Sequence, residues 1–241
     1  MSKNKFDEYS KKMIITNSKY IYDSCAAKDY LENLRCFFTE SNQNIIEESV
    51  DIKPKNISII DVDVNVDSIL FQKDFFTVNQ SFFFNVEFEA ITTNSNKILN
   101  SLCTFSKKVT LYGGNNNIYI FSSRKNENNT NFTPNAVVQA SNPIIFNAEL
   151  NNVVFSDDLG EIPIIPDKIT EKFDGNLVYL NVTKYVTVTL GLFTTTHTER
   201  SNQLLIPCSD FASPKKGPME EINTKDVFNK IDFPIDNFLP N

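Results

Sequence analysis

The sequence predicts a mainly β protein: an antiparallel β-sandwich or barrel with an N-terminal helical element and a C-terminal extended tail. Three observations carry that expectation. Phe71 to Phe88, FQKDFFTVNQSFFFNVEF, alternates with period two. Gln80, Phe82, Phe84, Val86 and Phe88 share one face of an extended chain, and Ser81, Phe83, Asn85 and Glu87 share the other. Leu177 to Ile206 repeats the pattern, with Leu180, Val182, Val186, Val188, Leu190 and Leu192 on one face and Thr183, Tyr185, Thr187, Thr189 and Phe193 on the other. Helical patterning is segregated from the strands, in the N-terminal part and in a short stretch after Thr224, which argues against an alternating βαβ architecture. At roughly 1.5–3 kcal/mol per fully buried Phe, the aromatic ribbon is able to anchor a core.

Taken in order, residues 1–18 read as a polar arm without a period. Tyr30, Leu31, Leu34, Phe37 and Phe38 recur at three- and four-residue spacing, which predicts a helix near 24–39, with a second short one near 42–49 closed by Pro54. From Ile57 the period becomes two: Val62, Val64 and Val66 oppose Asp61, Asp63, Asn65 and Asp67, as in a half-buried strand. Residues 90–100 read as a loop, and 102–111 and 118–122 as strands. Tyr112-Gly113-Gly114-Asn115-Asn116-Asn117 between those strands is a hairpin signal, because Gly and Asn tolerate positive φ. Further strands are expected at 136–140 and 144–154, then a long connection over 157–175. Gly191 marks a bulge or a close backbone approach in the last long strand, and Glu199–Asn202 reads as a turn. The resulting division is an arm at 1–18, a β-rich domain with N-terminal helices at 19–208, and a linker and docking tail at 209–241.

Composition narrows the function classes. A chain of 241 residues, 41% apolar and 22% charged, is globular. Its net charge of −7 argues against nucleic-acid binding, which needs a basic footprint, and against electrostatic attachment to a membrane. No apolar stretch approaches a membrane-spanning helix, and no membrane insertion is expected. The opening MSKNKFDEYSKK is charged with no apolar run after it, so no signal peptide is expected and synthesis is placed in a cytoplasm.

Candidate chemistry is sparse. His197 and Glu199 stand at alternation spacing and would make an acid/base pair on one strand face, but no framed nucleophile accompanies them. Asp61, Asp63, Asn65 and Asp67 copy the start of a calcium loop, then fail it: Val66 stands where that loop needs Gly, and Gln72 where it needs Glu. They read as a solvated face or as an edge kept from pairing by charge. Cys25, Cys36, Cys103 and Cys208 form no C-x-x-C pair; they read as free thiols or as cross-linking positions between molecules. No catalytic residue, metal site or cofactor is assigned, and the protein is read as a non-enzyme.

Four stretches, FQKDFFTVNQSFFFNVEF, FSKKVTLYGGNNNIYIFSS, VTVTLGLFTTTHTERSNQLLIPCSDFASPKK and KIDFPIDNFLP, resemble in order and spacing an uncharacterised family of β-rich sporulation proteins from clostridium-type bacteria. The resemblance runs from about Tyr22 to the C-terminus and rests on strand cores, a hairpin turn and an apolar tail. It implies a structural, self-assembling protein of the spore coat or outer spore layer, made in the mother-cell cytoplasm. The implied partners are further copies of itself and other coat proteins. Phe233, Ile235, Phe238 and Leu239 in the tail are the expected assembly contacts. The alternative is a β-sandwich module binding carbohydrate or a surface ligand, with Tyr112, Tyr119 and Phe132 as its exposed aromatics.

Overall fold

The computed structural model describes residues 12–114, 133–155 and 162–208. The chain divides into two units: Asn17–Asn202, and Met1–Thr16 with Gln203–Asn241. Of the second unit the described parts are the extended strand ends 12–16 and 203–208. The protein is mainly β. The elements are β1 (Lys12–Phe37), α1 (Glu40–Glu48), β2 (Ser49–Ser68), β3 (Phe75–Thr92), β4 (Asn96–Tyr112), β5 (Asn135–Ala140), β6 (Ile144–Asn152), α2 (Asp167–Thr170) and β7 (Lys184–Cys208).

Among the described residues one large antiparallel sheet holds every strand, in the order β2-β3-β4-β1-β7-β5. β6 pairs with Lys184–Gly191 of β7, and β5 with Thr194–Glu199, so the long last strand is lined by two short ones in succession. The sheet curls until β2 comes within 8 Å of β5 and β6, Cα to Cα, without a ladder joining them. The sheet is therefore not closed among the described residues.

The concave face carries the main core. Register sets its rows: Val62, Phe82 and Phe105 lie side by side across β2, β3 and β4, and Ile59, Phe84 and Cys103 form the next relevant row. Val186, Val188, Leu190 and Leu192 of β7 face the same cluster, and α1 packs Ile45 and Ile46 onto it. A smaller cluster lies on the outer face, where Phe37, Phe83 and Leu102 are covered by Ile169 of α2 and by Leu177. Phe82, Phe83 and Phe84 are thus all buried, because β3 is sandwiched there between the core and this covering segment.

Several expectations are corrected. The helix near 24–39 is instead the strand β1, and residues 12–18 belong to that strand too. The cause is Asn33, whose φ of 54° is left-handed. Before it Cys25, Ala27, Asp29 and Leu31 are the less exposed positions; after it Leu34, Cys36 and Phe38 join the core. The one-residue kink turns a period of two into spacings of three and four. The second helix is α1. Pro54 lies within β2, which tolerates it as the sheet edge with a register slip between Pro54 and Asn56.

Residues 90–100 are mostly strand; the turn is Thr92–Ser95, closed by Thr92 N–H to Ser95 O at 3.1 Å. β3 begins at Phe75 rather than Phe71, and β7 at Lys184 rather than Leu177, running through 199–202 without a turn. Leu180 and Val182 precede that strand. The bulge expected at Gly191 is in the partner: Phe146 is extruded from β6, and its ring occupies the space a Cβ on Gly191 would need. The strand at 118–122 and the tail at 209–241 lie outside the described residues.

Candidate functional site

β7 sets His197 and Glu199 on one face, opposite Val137 and Asn135 of β5, with Lys19 reaching across from β1. Glu199 Oε1 accepts from Lys19 Nζ at 2.6 Å and from Asn135 Nδ2 at 2.7 Å. Its Oε2 stands 3.7 Å from His197 Nε2. The Lys19 hydrogen bond holds the Glu199 carboxyl below the usual carboxylate range; burial pulls the other way and Asn135 adds to the lowering. Glu199 is therefore an ionised acceptor that ties three strands together. A general acid needs the opposite shift.

The pH consequence has a definite sign. A carboxyl held lower when folded than unfolded contributes stability that is fully present above its unfolded value, about 4.3, and is lost as pH falls through the folded value. Urea midpoints of the wild type are expected to decline into the acid range below that value. Glu199→Gln is expected to lower the midpoint at neutral pH and to flatten the decline. Parallel midpoint–pH curves for the two proteins would refute this role for the carboxylate.

A second cluster is aromatic. Outer-face positions of β1, β4 and β3 bring Tyr20, Tyr22, Tyr112 and Phe75 into a row, with ring centroids 5.0 Å, 6.3 Å and 5.4 Å apart in edge-to-face contacts. All four rings remain substantially exposed. Gly114 is required beside them: its φ of 69° is left-handed, and a Cβ there would run into the Tyr22 ring. Asp23 accepts the Tyr112 N–H at 3.0 Å, and Arg200 donates to the Gly113 carbonyl at 2.8 Å, which fixes this end of β4. In the β2–β3 turn, Leu70 is 81% exposed and Phe71 is fully exposed. Phe71 and Asp74 hold φ of 65° and 69°, so a bulky residue is kept in a strained left-handed conformation.

A third feature is a cavity of about 450 Å³ on the outer face. Ser58 of β2 and Asn85 of β3 are register partners in its floor, with Asn100 of β4 alongside. Asn42 of α1 donates to the Asn100 carbonyl oxygen at 3.3 Å, and Phe173, Lys172 and Asp174 form the opposite wall. The Asn85 Oδ1 is buried and has no hydrogen-bond partner among the described residues. Such a wall of amides and one ring suits a ligand rich in hydroxyls.

Of the residues expected from sequence, Tyr112 is in the aromatic row, whereas Tyr119, Phe132, Phe233, Ile235, Phe238 and Leu239 lie outside the described residues. Cys36 and Cys103 are buried in the core, Cys25 is half-buried, and the side chain of Cys208 is outside the described residues. The Asp61–Asp67 face lies on the edge strand β2, and Asp61 pairs with Lys168 at 2.8 Å. Among the described residues no group of three or more His, Cys, Asp or Glu is placed to hold a metal. Sequence reasoning missed Tyr20, Tyr22, Phe75, Leu70 and the amide cavity. The alternation of Tyr20 and Tyr22 was the one signal available. Comparison of the chain with protein-family models, with curated proteins and with solved structures returns no match.

Proposed function

We propose that this chain is a structural, self-assembling protein of the bacterial spore coat or outer spore layer. It would act through homotypic packing and through contacts with other coat proteins. The observation that carries the assembly role is the β2–β3 tip: Leu70 and Phe71 stand in water, and Phe71 does so on a left-handed backbone that costs free energy to hold. Such strain is understandable where the side chains have a partner to meet. The adjoining aromatic row supplies rings of the type enriched at interfaces. The resemblance of the strand cores and tail to sporulation proteins supports the setting. For the finer fold, the curl of the sheet and the packing of α1 support an incomplete barrel over a sandwich.

The tip double variant Leu70→Ser/Phe71→Ser is expected to keep the wild-type urea midpoint within about 0.5 kcal/mol of stability, since both side chains are exposed. It is expected to lose the oligomers that sedimentation velocity and electron microscopy detect in the wild type. A wild type that stays monomeric at high concentration overturns the proposal.

A second reading is favoured by one observation, the buried and unpartnered Asn85 Oδ1 in the outer-face cavity. A carbohydrate-binding module would use that acceptor for a sugar hydroxyl. Glycan-array binding that disappears in Asn85→Leu would support this reading; an array without signal would exclude it.

A further inference from the structure

We propose that Cys36 and Cys103 form a cross-strand disulfide that pins the seam between β1 and β4. The two residues are directly opposed register partners of an antiparallel pair. Directly opposed residues in such a pair have Cα atoms about 4.5–5.5 Å apart, inside the range of about 4.4–6.8 Å that a disulfide spans. Both side chains belong to the same core cluster, at 3% and 0% exposure, so they lie on the same face of the sheet. Both are thiols in this structure. The neighbouring Cys36 thiol, with burial, pushes the Cys103 thiol well above its ordinary value.

The position within the sheet gives the bond a purpose. β2, β3 and β4 form a meander paired along most of its length. β1 joins that meander to β7, and its register with β4 consists of Cys36 opposite Cys103 and Phe37 opposite Leu102. On the other side of the Asn33 kink the two strands are also tied through side chains: Lys107 Nζ donates to Asp29 at 2.6 Å, and the Tyr112 N–H donates to Asp23. The cysteines thus sit in the short stretch of true ladder that joins the two halves.

The oxidant is a low-molecular-weight disulfide, RSSR, acting before the core closes, because buried thiols with raised pKa react poorly. The Cys36 thiolate attacks one sulfur of RSSR and releases RS⁻, leaving a mixed disulfide. The Cys103 thiolate then attacks the Cys36 sulfur and releases the second RS⁻. The two cysteine protons end on two RSH; the chain loses two electrons and the donor gains them.

The test is refolding of the full chain in oxidised and reduced glutathione. Thiol titration in denaturant is expected to fall from the four cysteines of the sequence to two. Non-reducing peptide mapping is expected to find the Cys36 and Cys103 peptides linked within one molecule. Cys36→Ala and Cys103→Ala should each abolish the loss of thiols, whereas Cys25→Ala should not. The guanidinium midpoint of the oxidised wild type should exceed that of the reduced protein. The peptide map of the wild type decides the matter even if a variant fails to fold. Four titratable thiols after oxidative refolding, or links that run through Cys25 or Cys208, overturn the proposal. The outcome is independent of whether the protein assembles.

Discussion

Phe84→Ala is expected to lower the free energy of unfolding by about 3–5 kcal/mol, the range for removing a large buried aromatic. Phe84 is fully buried on the concave face, between Ile59 of β2 and Cys103 of β4 in register, with the Phe82 ring 6.2 Å away and nearly parallel. Strands on both sides are paired with β3, so their backbones are poorly able to collapse into the space, and the loss combines transfer free energy with a cavity. Phe75→Ala, on the outer face of the same strand and partly exposed, should cost under about 1 kcal/mol by comparison. Urea denaturation of both variants with unchanged slopes checks the pair. A cost for Phe84→Ala no larger than that for Phe75→Ala would mean that the concave face is not the core.

Asn33→Pro is expected to abolish the folded state, because the ring holds φ at about −65° and forbids the left-handed kink. A strand turns alternate side chains to opposite faces, so a shift of one residue reverses every position beyond it. The left-handed Asn33 is the residue that lets Leu31 and Leu34 both reach the core side of β1. With residue 33 held extended, the chain must expel either Leu31 or the group Leu34, Cys36 and Phe38. At about 1.5–3 kcal/mol for each large apolar side chain left in water, expelling that group consumes most of a typical stability of about 5–15 kcal/mol. Asn33→Gly should be tolerated, because Gly adopts positive φ without a Cβ clash, whereas Asn33→Val should cost about 1–2 kcal/mol. Near-ultraviolet circular dichroism and thermal melts separate these cases. An Asn33→Pro variant with native spectrum and stability would show that β1 is not held in phase by the left-handed Asn33.

The same residue explains where the sequence misled. Leu31, Leu34 and Phe38 stand three and four apart, the spacing of one helix face, because a kinked strand and a helix place apolar residues alike over so short a window. Pro54 suggested an end to structure, yet β2 runs on because a sheet edge does not need that N–H. Parity alone sets Phe83 among polar neighbours, yet a covering segment from far along the chain buries it. The aromatic row draws on β1, β3 and β4, and the amide cavity draws on α1, β2, β3, β4 and residues 172–174. No local pattern connects positions so distant in sequence.

What the sequence determined by itself is which side of β3 faces inward: Phe82, Phe84, Val86 and Phe88 are bound to one face by the two-residue repeat of an extended chain, whatever the neighbours. It likewise determined a β class, since these ribbons need a second apolar surface to leave water. Only the tertiary structure decided that β1 lies between β4 and β7, that Cys36 meets Cys103, and that Leu70 and Phe71 are left uncovered. Strand order and register come from hydrogen bonds and packing between segments far apart in the chain, and the free energy of those pairings belongs to no single segment.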